Sequence, residues 1–263
     1  MKKSTVSLSL SNMLFILLLA LSGALSGALS EAVYIVAFLL PSALLIYLSR
    51  GSKSRLALRI SAKGALTALA ATPATVGGIF LISYLSALLM SGFGFSNTVD
   101  LSGNILTVVL THALLPAILE ELLFRYAALS ALDSMKNAEK VLITAFFFAF
   151  SHCNLFSIPY AFFAGVVFAA LDILTGSILP SLFLHFINNL ISIFWTLYIS
   201  NSSTTLFLIV ITALSLISLL ILTVMRRYFF GNRRLEKIKL KAPSADIAVF
   251  AALTVAIAIT ALI

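Results

Sequence analysis

The chain has 263 residues, of which 61% are hydrophobic and only 10% charged, and its mean hydropathy is +1.14. This excludes a soluble globular domain, in which about a quarter of residues carry charge. The net charge of +8 does not indicate nucleic acid, because the cations cluster in short loops beside apolar runs rather than on one face.

Apolar stretches of about 18 or more residues recur from end to end, as in a polytopic helical membrane protein. In chain order the expected spans are 10–29, 31–49, 64–91, 103–134, 140–153, 157–174, 177–199, 204–225 and 245–263. The fold class is therefore all-α, a transmembrane helical bundle of about eight to nine spans. No linker, low-complexity tract or repeat divides residues 1–263, so they form a single integral membrane domain. The first apolar run, after Lys2 and Lys3, also has the look of a signal peptide; it is read as a retained first span. The single cysteine, Cys153, excludes an intrachain disulfide.

Charge sets the orientation. Of the seventeen Lys and Arg, all but Arg125 fall before the first span or in the loops after the second, fourth and eighth. The loops around 92–102 and 200–203 hold none. By the positive-inside rule this predicts a multi-pass cell-membrane protein with a cytoplasmic N-terminus.

The fourth span contains "LLPAILEELLFRYAAL", with Glu120, Glu121 and Arg125 in an otherwise apolar run. A charge at the bilayer centre costs at least about 2.5–3.5 kcal/mol, so such groups are usually functional. Glu121 and Arg125 are i and i+4 with the acid first, the favourable order for an ion pair. Glu120 lies about 100° around the helix and cannot share Arg125 equally, which leaves it available for chemistry. A buried pair that merely fixes helix packing is the alternative.

All three histidines, His112, His152 and His185, also lie in apolar spans. Phe148 stands one turn before His152, and Asn189 one turn after His185. At about 1.5 Å per residue, Glu120 and His152 each lie about 18 Å from the cytoplasmic end of their spans, His185 about 12 Å and Asn189 about 18 Å. Three helices thus bring acid, imidazole and amide to one layer. His112 lies about 12 Å beyond Glu120 toward the outer side, and is read as structural.

These residues make the chain resemble the CAAX protease and bacteriocin-processing (Abi) family of intramembrane endopeptidases. The motifs carrying the resemblance are "EELLFR" (Glu120, Glu121, Arg125), "FAFSH" (Phe148, His152) and "HFINN" (His185, Asn189), in that order. The similarity spans about 105–195, inside a core of spans at about 103–199. Tyr126 departs from the small residue usual after the arginine, which bears on packing or cavity width and removes no catalytic group.

The resemblance implies hydrolysis of a peptide bond in a membrane-associated protein or peptide precursor, with the lipid bilayer as the other partner. Glu120 would be the base, with His152 helping to hold and polarise a water. His185 and Asn189 would donate to the oxyanion, and Arg125 would keep Glu121 ionised. Glu120, His152 and His185 could instead supply a His₂Glu zinc set, yet there is no HExxH and an arginine nearby does not favour a dication. No cofactor is favoured, zinc being the one candidate. Ser151 and Cys153 flank His152 but point elsewhere on the helix, with no third orienting group for a serine or cysteine protease. Outside the enzyme class stand a bacteriocin-immunity or scaffold protein and a transporter or proton relay, the latter without visible repeated halves. Asp172 is read as a solvated span end.

Overall fold

The structure, a computed structural model, describes residues 2–50, 56–93, 101–199 and 204–224. Helices α1 (Lys2–Gly23), α2 (Gly27–Leu48) and α3 (Ala62–Gly92) precede α4, which runs over Ile105–Ala131. Then come α5 (Asn137–Ser151), α6 (Ile158–Thr175), α7 (Leu179–Phe194) and α8 (Thr204–Val224). In lipid, intrahelical hydrogen bonding is the way an open chain satisfies its backbone, and each described helix matches one expected span to within a few residues, α1 excepted.

The described residues bear out a multi-span helical bundle but do not confirm eight to nine spans. Six described helices are long and apolar enough to cross a membrane: α2, α3, α4, α6, the α7 region to Tyr198, and α8. The apolar part of α1, Ser7–Gly23, is shorter. At 15 residues, α5 rises about 22 Å against a hydrocarbon core of about 30 Å. The expected span at 245–263 lies outside the described residues. The chain is a multi-pass membrane protein with a helical core.

Local chemistry sets the helix ends. Ser61 accepts from the Gly64 N–H at 3.1 Å and Asn104 from Leu106 N–H at 2.8 Å, each capping orphan donors of a first turn. Pro159 and Pro180 stand in the first turns of α6 and α7, where a missing N–H costs nothing. Between them Gly176, at φ +70, ends α6 in the left-handed conformation that glycine adopts without strain. That turn is pinned from outside the helices: Ala57 N–H donates to Gly176 O at 2.9 Å, and Ile178 N–H to Ala57 O at 3.2 Å. Leu56 and Ile178 pack with Leu129 and Ala169 beside it.

The core centres on α4. Leu8, Phe15 and Ile16 of α1 and Phe38 and Leu45 of α2 pack into one cluster with Leu123, Phe124, Phe147 and Phe168. Gly165 of α6 brings α5 close, since a Cβ there would lie 2.8 Å from the Ala145 Cα. On the other side, α8 leans on α3 through hydroxyls, Ser215 donating to Pro73 O at 2.9 Å and Ser218 to Ala70 O at 2.5 Å. Hydroxyl-to-carbonyl bonds of this kind join helices in lipid, where no hydrophobic driving force brings them together and close packing and hydrogen bonds do so instead. Two wide π-helical turns, Leu110–Leu114 and Leu122–Ala127, interrupt α4 on either side of Glu120 and Glu121.

Candidate active site

The expected polar groups meet around one cavity of about 320 Å³ lined by residues of α3, α4, α5, α6 and α7. Glu120, His152, His185 and Asn189 line it, and Phe148, Tyr160 and Phe168 form much of its apolar wall. Glu121 and Arg125 lie behind that wall, both fully buried, with Arg125 Nε 3.2 Å from Glu121 Oε2. Their pairing at i, i+4 is the one the sequence suggests. Tyr126 is not among the lining residues; it packs toward Leu129 and Ala169.

The surroundings of Arg125 compensate for its burial. Its guanidinium carbon stands 4.3 Å from the ring centroid of Phe148 and 5.5 Å from that of Phe168. Cation–π attraction is worth about 2 kcal/mol or more when desolvated. Phe148 serves other partners as well, meeting the His152 ring edge-on at 5.0 Å and the His185 ring at 5.8 Å. The phenylalanine of the second motif thus touches the cation and two of the imidazoles.

His185 sits between the two acids. Its Nδ1 is 2.8 Å from Glu121 Oε1, and its Nε2 is 3.8 Å from Glu120 Oε2. A carboxylate held ionised by Arg125 can only accept, so Nδ1 carries the proton it donates to Glu121, and Nε2 is the nitrogen left to the cavity. The same argument fixes His152, whose Nδ1 lies 2.8 Å from the carbonyl of Phe148 and must donate to it. Such second contacts hold an imidazole in one tautomer and orientation. No spacing marks the His185–Glu121 bond, because its partners are 64 positions apart.

Asp172 corrects the reading of a solvated end. It is fully buried, and its two oxygens accept from Ser181: Oδ1 from the backbone N–H at 3.0 Å, Oδ2 from the hydroxyl at 2.6 Å. The side chain of a residue on α6 therefore caps the first turn of α7, one turn before His185. His112, read as structural, also lines the cavity with Glu120. The spacing 112, 116, 120 could have signalled this, since all three positions share one face of α4.

Among the described residues no three His, Cys, Asp or Glu side chains converge closely enough to hold a metal ion, so no step is derived through one.

Residues 113–191 match the family model described as Type II CAAX prenyl endopeptidase Rce1-like. No curated protein and no solved structure matches the chain. The matched segment contains all three motifs, from Glu120 to Asn189, and over this stretch the chain is similar to the CAAX-type endopeptidases.

Proposed function

We propose that the protein is an intramembrane endopeptidase that hydrolyses a peptide bond by metal-free activation of water between Glu120 and His152. The observation that carries this reading is that α4, α5 and α7 present an acid, two imidazoles and an amide to one cavity among membrane-spanning helices. A water held by Glu120 and His152 Nε2 loses a proton to the carboxylate as its oxygen attacks the substrate carbonyl carbon. Glu120 Oε2 has no hydrogen-bond partner among the described residues, which suits a group that takes a proton and returns it. The returned proton goes to the departing nitrogen as the C–N bond breaks.

Asn189 Oδ1 accepts weakly from Asn188 Nδ2 at 3.4 Å, leaving the Asn189 amide hydrogens to donate to the oxyanion. His185 can join it only when Nε2 carries a second proton. The substrate in this reading is a membrane-associated protein or peptide precursor, and the protein sits in the cell membrane with its N-terminus cytoplasmic.

The test compares membrane and secreted peptidomes from cells carrying the wild-type protein or Glu120→Gln at matched membrane levels. A precursor that accumulates uncleaved only in the variant supports proteolysis. Equal cleavage by the two proteins would remove Glu120 from the mechanism. A wild-type phenotype retained in full by the variant would favour a binding or immunity role.

A further inference from the structure

The cavity extends beyond the groups that the proposed hydrolysis uses. On α4, His112, Pro116 and Glu120 are spaced by four and all line it, so it runs about 12 Å along this helix from the acid. His112 lies within the wide turn Leu110–Leu114. Thr111 Oγ1 is 2.9 Å from the Thr107 carbonyl and 2.8 Å from His112 Nδ1. Since the carbonyl takes the only hydroxyl proton, Nδ1–H must donate to Thr111, and Nε2 is an acceptor. Across the cavity Asn188 is only 8% exposed, and its Oδ1 has no hydrogen-bond partner among the described residues. A buried acceptor left unpaired costs about 1–3 kcal/mol unless something donates to it.

Both groups are acceptors, and neither is needed to activate water or hold an oxyanion. Beside an apolar wall, the donors that a peptide brings are its backbone N–H groups. In a helical substrate those are already bonded; in an unwound one they are orphaned and costly in lipid. We infer that the cavity holds its substrate as an extended peptide segment, with His112 Nε2 and Asn188 Oδ1 accepting backbone N–H groups to one side of the scissile bond. At about 3.3 Å per residue, the His112 contact falls three to four residues from the bond cut at Glu120. The inference rests on the endopeptidase reading and adds to it the conformation in which substrate is read.

The experiment uses the full chain in lipid nanodiscs with Glu120→Gln as the background, so that binding is measured without turnover. The probe is a fluorescein-labelled ten-residue Ala/Leu peptide, with a matched series in which each backbone amide in turn is replaced by an ester, which lacks the N–H. We expect His112→Ala to weaken binding of the all-amide peptide about five- to tenfold, the scale of one hydrogen bond. One ester position should weaken binding to the background protein by a similar factor and have no further effect on the His112→Ala protein. His112→Gln, which keeps an acceptor, should recover most of the affinity, separating lost recognition from misfolding. Asn188→Leu should shift sensitivity away from a second ester position. Unchanged binding in His112→Ala, or ester and substitution losses that simply multiply, would overturn the inference. Turnover is read separately with Glu120 present: equal cleavage with and without it, alongside the expected binding pattern, would count against the endopeptidase reading alone.

Discussion

The guanidinium of Arg125 rests 4.3 Å from the centre of the Phe148 ring, while its Nη1 and Nη2 find no hydrogen-bond partner among the described residues. The aromatic face thus supplies what oxygen acceptors would supply elsewhere. Replacing Phe148 with leucine removes that face and the edge contacts to His152 and His185 together. We expect a loss of about 2–4 kcal/mol of stability, from large-to-small packing loss and the cation–π term, with a fall in activity larger than unfolding explains. Thermal unfolding in detergent beside turnover at matched folded fraction checks this.

The two adjacent glutamates should behave oppositely. Glu121→Gln leaves Arg125 buried without a counter-charge and should cost about 3–5 kcal/mol. Glu120→Gln faces the cavity, breaks no ion pair at hydrogen-bond distance, and should leave stability nearly unchanged while abolishing cleavage. Chemical denaturation of the two variants side by side separates them. A Glu121→Gln, Arg125→Met pair should be more stable than Glu121→Gln alone, because no unpaired charge remains.

Asp172 is expected to be a positioning residue for α7. Asp172→Ala removes both acceptors from Ser181, leaving a buried N–H and a buried hydroxyl without that carboxylate, at about 1–3 kcal/mol for each group left unpaired. Asp172→Asn keeps one acceptor and should fall between. Both are read by unfolding midpoint. Because Ser181 stands one turn before His185, turnover should drop with a change in kcat rather than in KM.

Gly165 sets how near α5 comes to α6. A methyl there would meet the Ala145 Cα at 2.8 Å and Phe148 Cδ1 at 3.2 Å, so Gly165→Ala must push α5 outward. Overpacking of this kind costs about 1–3 kcal/mol, and since α5 carries His152 the activity should suffer too. Gly165→Ala combined with Ala145→Gly, which removes the opposing methyl, should recover part of both.

Much of this architecture was legible in the sequence because hydrocarbon permits few ways to satisfy a backbone. The apolar runs marked seven of the eight described helices at nearly their observed bounds, and a rise of about 1.5 Å per residue carried Glu120, His152 and Asn189 to a common depth. What stayed hidden is tertiary. His185 reaches Glu121 across 64 positions, which no spacing encodes. Asp172 looked like a solvated end because its partner lies beyond a turn closed by Gly176. His112 was set aside because the depth argument treated the site as one layer, whereas the cavity runs lengthwise along α4. The span count is the least legible, because α5 is only 15 residues long and opens on Asn137, Glu139 and Lys140.

The wide turns of α4 have a consequence for how this helix tolerates change in length. A π turn holds one residue more than an α turn, so removing one residue from Leu110–Leu114 would let regular helix close across the gap. Regular helix on both sides of the closed turn would keep its facing, so both acids, the arginine and, for a deletion of Ala113 or Leu114, His112 would all stay turned toward the cavity. The surplus residue of this turn therefore marks a place where α4 can lose one position without turning its polar groups toward lipid.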